Sequence, residues 1–158
     1  MKHPLSLLVT KTRKSFSKKI IVAVFAATLI TATAFASGEE YKVKALNSLK
    51  KEFSTAQNVQ WKVTTNYIKA SFTWNNQQLE VFYDYNGETI AKSRHINVNS
   101  LPLEAQQYIG KKYADYTVTE AIEYNSEEIN CYYVSVEKEN TKQILQVSAN
   151  GDVSIFQK

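Results

Sequence analysis

Leu79-Glu-Val-Phe-Tyr-Asp-Tyr-Asn-Gly-Glu-Thr-Ile90 sets apolar residues in alternation on either side of Asn86-Gly87. Alternation with a period of two marks a half-buried strand. Asn-Gly between two such runs is the strongest short-range hairpin signal, because a two-residue type I′ turn needs positive φ at both central positions. The stretch therefore predicts a strand, a tight turn and a returning strand. Ile144-Leu-Gln-Val-Ser-Ala-Asn-Gly-Asp-Val-Ser-Ile155 writes the same pattern again around Asn150-Gly151.

Working outward from the first hairpin, the residues before it form a regular series. Val43, Leu46, Leu49 and Phe53 recur in steps of three and four among lysines, which predicts an amphipathic helix from Val43 to about Ser54. Val59, Trp61 and Val63 alternate with polar residues, as do Ile68, Ala70, Phe72 and Trp74, giving two strands separated by a turn at Thr64–Asn66. Asn75-Asn-Gln77 turns the chain into the hairpin, and Arg94 to Ser100 reads as a connector. Ser100 as cap and Pro102 in the first turn predict a second helix running to about Tyr113. Strands over Val118–Tyr124 and Ile129–Glu137 follow, then the second Asn-Gly hairpin.

The two halves register. A shift of 60 carries Ala45, Leu49 and Phe53 onto Ala105, Ile109 and Tyr113, and a shift of 64 carries Ile68, Ala70 and Phe72 onto Tyr132, Val134 and Val136. The difference predicts about four inserted residues, placed most simply in the polar loop Asn125–Glu128. The fold class expected is α+β: two tandem helix-plus-four-strand repeats, about 43–93 and 101–158, forming one antiparallel sheet with both helices on one face.

Residues 1–36 read as an export signal. Lys2, Lys11, Arg13, Lys14, Lys18 and Lys19 precede an uncharged apolar run from Ile20 to Phe35, which ends in Ala34-Phe35-Ala36. The small-x-small ending predicts cleavage after Ala36, so that 37–158 is the mature domain, periplasmic or secreted, with no stable membrane anchor. An uncleaved anchor is the alternative, but the run is shorter than the ~20 residues of a spanning helix. Of 19 basic residues, six lie in this segment, leaving 13 against 15 acidic ones and a net charge of −2. Nucleic-acid binding thereby loses its electrostatic support. Cys131 is the only cysteine, so no internal disulfide is possible.

Phe53, Val59-x-Trp61, Ile68-x-Ala70-x-Phe72, Asp84-Tyr-Asn-Gly87, Leu101-Pro102 and the degenerate second copy together resemble the PepSY-like, beta-lactamase-inhibitor-like family of secreted Bacteroidetes proteins. The resemblance spans nearly all of the mature chain. It implies the fold of beta-lactamase inhibitor protein and a binding sheet face, without naming a target. The second copy departs from the first: Ala121 stands where Trp61 does, and Ser148 where Asp84 does.

Alternation assigns Ile68, Ala70, Phe72, Val81, Tyr83, Tyr132, Val134, Val136, Leu145 and Val147 to the helix-covered face. The opposite face takes Tyr67, Lys69, Ser71, Thr73, Glu80, Phe82, Asp84, Cys131, Tyr133, Ser135, Glu137 and Gln146, and is expected to be wet. Its mixture of aromatic and charged residues matches interface composition, which makes Tyr67, Lys69, Glu80, Phe82, Asp84, Tyr133 and Glu137 the candidate partner-binding residues. Cross-strand aromatics that only stabilise the sheet are the alternative. Trp61 is expected in the core, and Trp74 in the core or exposed.

No catalytic site can be read. His95, the single histidine of the mature chain, shows no positioned partner in the sequence, Cys131 has no histidine at a recognisable spacing, and no metal-ligand cluster or phosphate loop is present. Asp84 is expected to bond its own turn. The function expected is non-catalytic, cofactor-free binding of a protein or peptide in the periplasm, of which enzyme inhibition is one form. An envelope module acting by self-association or complex assembly is the rival, and small-ligand binding a weaker third.

Overall fold

The computed structural model describes residues 39–157. The expected export signal lies outside these residues. Among those described, no helix is long and apolar enough to cross a membrane. The elements in chain order are α1 (Glu39–Glu52), β1 (Gln57–Val63), β2 (Ile68–Trp74), β3 (Gln77–Tyr83), β4 (Thr89–His95), a 3-10 turn (Val98–Ser100), α2 (Leu103–Lys112), β5 (Thr117–Ser126), β6 (Asn130–Lys138), β7 (Thr141–Ser148) and β8 (Val153–Gln157). Helix-plus-four-strands occurs twice. All eight strands form one sheet in sequence order, each antiparallel to the next.

Each helix covers the four strands that follow it. Ala45, Leu49 and Phe53 pack on Ile68, Ala70, Phe72, Val81 and Tyr83, with Trp61 and Trp74 partly buried at the margin. Ala105, Ile109 and Tyr113 pack on Ala121, Val134, Val136, Leu145 and Val147, with Tyr132 against them. Every residue assigned to the helix-covered face from alternation is found there. Phe53 meets Phe72 at 5.0 Å and Trp74 edge-on at 5.4 Å between ring centres, and Trp61 meets Tyr83 at 6.2 Å, so both tryptophans of this half lie against the core.

The Asn-Gly turns differ from the type I′ expectation. Only Gly87 and Gly151 carry positive φ (82° and 94°), while Asn86 and Asn150 do not. The Gly87 N–H donates to Asp84 O (3.1 Å) and the Asp84 N–H to Glu88 O (2.9 Å). The loop is thus a three-residue connection, Tyr85–Gly87, in which the turn Asp84–Gly87 ends on a left-handed glycine. The Asp84 carboxylate selects this geometry, because its Oδ1 accepts from the N–H groups of both Asn86 and Glu88 at 2.9 Å. Ser148 does the same work in the second copy, its Oγ accepting from Asn150 N (3.3 Å) and Asp152 N (3.1 Å). The two-residue turn with positive φ at both centres is instead Asn75-Asn76 (50° and 62°), closing Trp74 onto Gln77.

The two glycines also carry the close approach of turn to helix. A Cβ on Gly87 would lie 2.8 Å from the backbone carbon of Lys44 and 2.9 Å from its oxygen, and Ser48 Oγ donates to Gly87 O at 2.6 Å. A Cβ on Gly151 would meet Glu104 Cβ at 3.0 Å and Pro102 Cβ at 3.3 Å. Each Asn-Gly turn is therefore seated on the helix of its own repeat.

The extra residues of the second half lie in strands rather than in the loop Asn125–Glu128. Thr64 and Ser126 build the same turn: each hydroxyl donates to the carbonyl three residues on (Tyr67 and Ile129) and accepts from the N–H groups two and three residues on. Trp61 and Ala121 occupy equivalent positions opposite Ala70 and Val134. Three steps lead from Trp61 to Thr64 but five from Ala121 to Ser126, and the same holds on the returning strands. Two residues per strand preserve the inward–outward alternation, which a single added residue would invert.

Three boundaries differ from expectation. Helix α1 begins at Glu39 rather than Val43. Strand β4 runs through Arg94 and His95, which were expected in a connector, and Ile96 N–H still bonds Ala121 O at 2.9 Å. Ser100 does not cap α2: the cap position is Pro102 without a side-chain bond, and the local cap is Asn97, whose Oδ1 accepts from Asn99 N at 2.9 Å.

Candidate functional site

The face opposite the helices holds the residues predicted to bind a partner, and its character corrects the expectation of a wet surface. Phe82, Ile122, Tyr133 and Ser135 are fully buried there, and Tyr67, Ser93, Tyr124, Cys131 and Ile144 are nearly so. Neighbouring strands bring large side chains together across the sheet. Tyr67 meets Phe82 edge-on at 5.4 Å, Tyr124 meets Tyr133 at 6.1 Å, and Tyr133 meets Phe156 at 5.1 Å between centroids. These ring contacts and the burial of their neighbours put apolar packing on both sides of the sheet. Bulges in the β1–β2, β3–β4, β5–β6 and β7–β8 pairings add local bend and twist.

Within repeat one the structure unites four of the seven predicted residues. Lys69 lies between Phe82 and Lys62 in the ladder, and Glu80 between Ser71 and Ser93. Lys69 Nζ pairs with Glu80 Oε1 at 2.5 Å, with side chains only 15% and 18% exposed. Ser71 Oγ donates to the same Oε1 at 3.1 Å. Glu80 Oε2 is buried and has no hydrogen-bond partner. Tyr67 sits beside this group, and burial, followed by the Glu80 charge, raises its phenol pKa above the usual value. Tyr133 stands apart in the second half, opposite Ile122 and Gln146. Glu137 is exposed at the rim, opposite Thr117 and Lys142, and Asp84 is engaged in its turn.

Several residues of this face escaped the alternation reading. Ala91 and Ser93 on β4, Ile122 and Tyr124 on β5 and Phe156 on β8 all lie here, since β4, β5 and β8 alternate less cleanly in the sequence. Ser135 was assigned to the face, but its complete burial with an unpartnered Oγ was not legible. His95 has a partner after all: Nδ1 lies 3.3 Å from Glu120 Oε1 across the β4–β5 junction, where the two repeats join. Side-chain exposure of 53% and 25% makes this a surface pair. Cys131 is buried, its thiol pKa raised by desolvation, and Gln146 Nε2 lies 3.8 Å from its sulfur. Among the described residues no group of three His, Cys, Asp or Glu could hold a metal ion.

This arrangement of one continuous eight-stranded sheet with two helices on one face has counterparts among solved structures. A BLIP-like protein from Bacteroides fragilis matches with a TM-score of 0.62 at 20% identity, covering 73% of this chain and 86% of that one. The chain has a BLIP-like fold. A DUF2874 family protein from Bacteroides uniformis matches at 0.65 and 19% identity over 70% of this chain and 83% of its own. A Bacteroides eggerthii protein, provisionally assigned to the periplasm, matches at 0.65 and 19% over 72% and 88%. The PepSY part of the expected resemblance has no support from these structures. No family model matches the sequence, and no curated protein does. At these identities the likeness establishes architecture.

Proposed function

We propose that this protein is an exported, non-catalytic periplasmic binding protein that engages a protein or peptide partner through the sheet face opposite its helices. The observation that carries the reading is the composition of that face. It bears buried aromatic rings, a partly buried Lys69–Glu80 pair and two polar atoms without partners, Glu80 Oε2 and Ser135 Oγ. Polar groups buried without hydrogen bonds cost roughly 1–3 kcal/mol each, a cost that a partner supplying the missing donor would remove. Aromatic anchors with a few placed polar groups are the composition of binding surfaces. The BLIP-like fold supports the inhibitory form of binding, the basic lead and apolar run of residues 1–36 support export, and the Bacteroides eggerthii neighbour supports the periplasm.

The test is capture from periplasmic extract on the immobilised, exported protein, followed by affinity measurement for the captured partner. Loss of a captured hydrolase's activity supports inhibition, and capture of the protein itself supports assembly. Phe82→Ala with Tyr133→Ala, checked for folding by circular dichroism, and the exposed rim variant Glu137→Lys are then compared with the parent. Unchanged affinity in all of them would refute binding through this face.

A further inference from the structure

The two Asn-Gly turns carry a chemistry of their own. A glycine after asparagine has no side chain to hinder its backbone nitrogen, which can attack the asparagine Cγ. The N–Cγ bond forms, the side-chain amide leaves as ammonia with the glycine N–H proton, and a succinimide ring remains. Water then opens the ring at either carbonyl, giving aspartate or isoaspartate, and no other co-reactant is needed. Asn86 and Asn150 are both exposed to that water.

Attack requires the glycine nitrogen to leave its turn bond, and the two turns are held unequally. The bonds themselves are alike, from Gly87 N–H to Asp84 O at 3.1 Å and from Gly151 N–H to Ser148 O at 3.0 Å. In the first turn, however, the Asp84 carboxylate also accepts from the Asn86 backbone N–H at 2.9 Å and from its side-chain amide at 3.4 Å. Ser48 Oγ further ties Gly87 O to α1 at 2.6 Å. In the second turn the neutral Ser148 hydroxyl accepts from the Asn150 N–H at 3.3 Å, and Gly151 faces side-chain carbons of Glu104 and Pro102. Hydrogen bonds to a carboxylate are roughly twice as strong as neutral ones. Place in the sheet points the same way. The β3–β4 hairpin lies between β2 and β5, whereas β8 ends the sheet and pairs with β7 alone. Lifting the second turn therefore breaks fewer ladder bonds, and local opening is cheapest at such an edge.

We infer that Asn150 is a spontaneous modification site of the folded protein, deamidating to aspartate and isoaspartate while the same chemistry at Asn86 is held back. The product takes residues 37–158 from a net charge of −2 to −3. Isoaspartate also adds a methylene to the backbone of the turn, in the hairpin whose Phe156 packs on Tyr133 of the candidate face.

Warming the exported protein at pH 8, digesting aliquots at acid pH and reading the peptides by mass spectrometry tests this, with isoaspartyl methyltransferase labelling the isoaspartate. Asn150 should convert roughly tenfold faster than Asn86, or more, as an edge hairpin opens more readily than a central one. In denaturing urea the two rates should converge, because both turns are then lost. Ser148→Asp, which gives the second turn the carboxylate of the first, should slow Asn150 severalfold with circular dichroism unchanged. Equal rates in the folded protein, or faster conversion of Asn86, overturn the inference. A difference that persists in urea also overturns it, because sequence neighbours rather than the fold would then set the rates. An Asn150 rate indifferent to Ser148→Asp overturns the part assigned to the turn.

Discussion

Replacing Gly87 by alanine isolates the contact that seats the first hairpin on its helix. The backbone at Gly87 has φ = 82°, where an L side chain costs about 1–2 kcal/mol. The added Cβ would stand 2.8 Å from Lys44 C and 2.9 Å from Lys44 O, both backbone atoms of α1, so the helix or the turn must shift. That shift also strains the 2.6 Å bond from Ser48 Oγ to Gly87 O. Overpacking of this kind costs a further ~1–3 kcal/mol, giving about 2–5 kcal/mol in all. Gly151→Ala meets the same φ penalty at 94°, but its closest contacts are the side-chain carbons of Glu104 and Pro102, at 3.0 and 3.3 Å. It should cost about 1–3 kcal/mol. Urea unfolding of the two variants beside the parent, read as midpoint shift at constant slope, gives the comparison. A Gly151→Ala loss equal to or larger than that of Gly87→Ala would refute the reasoning, since the φ penalties are shared and only the neighbours differ.

Other consequences concern the core, the ion pair, the thiol and alkaline pH. Phe53→Ala, which removes the ring packed on Phe72 and Trp74, should destabilise by about 3–5 kcal/mol in the same urea assay. Lys69→Met strands the Glu80 charge in a partly buried site and should cost about 1–3 kcal/mol, most of it recovered in the Lys69→Met/Glu80→Leu double variant; a double variant weaker than the single one would contradict this. Buried Cys131 should react with thiol reagents at pH 8 only as fast as the protein opens, its rate rising steeply in urea. Burial raises the pKa of Cys131 and of Tyr67, Tyr83 and Tyr133. Folded-state values above the unfolded ones mean that the folded chain holds these protons more tightly. Their stabilisation is therefore complete below about pH 8 and is lost as pH rises through the alkaline range. Unfolding free energy that stayed flat from pH 8 to pH 11 would contradict it.

Much of this architecture was legible because it rests on periodicity. Steps of three and four at Leu49 and Phe53, and of two at Ile68, Ala70 and Phe72, are imposed by burial against one surface. Turn geometry was less legible, since Asn86-Gly87 satisfies two hairpin types and the choice falls to the Asp84 carboxylate reaching two backbone N–H groups. The site of the extra residues was hidden because sequence shifts of 60 and 64 bracket an insertion without saying whether it lengthens a loop or two strands. Only the matching turns at Thr64 and Ser126 resolve it. Alternation divided the two faces of the sheet correctly. It could not report that Phe82 and Tyr133 are fully buried, because alternation separates the two faces of a sheet without saying whether either is solvated. The Glu80 oxygen without a donor is a property of packing, invisible in a string of residues.

Site-specific photo-crosslinking in the periplasm of living cells tests the central claim most directly. A benzophenone side chain placed at Glu137 or Lys69, on the face opposite the helices, is compared with one at Lys51 on α1 or Lys111 on α2. Binding through the sheet face predicts one discrete crosslinked partner from Glu137 and Lys69 and none from the helix positions. The same partner crosslinked from Lys51 and Lys111 but not from the sheet would contradict it.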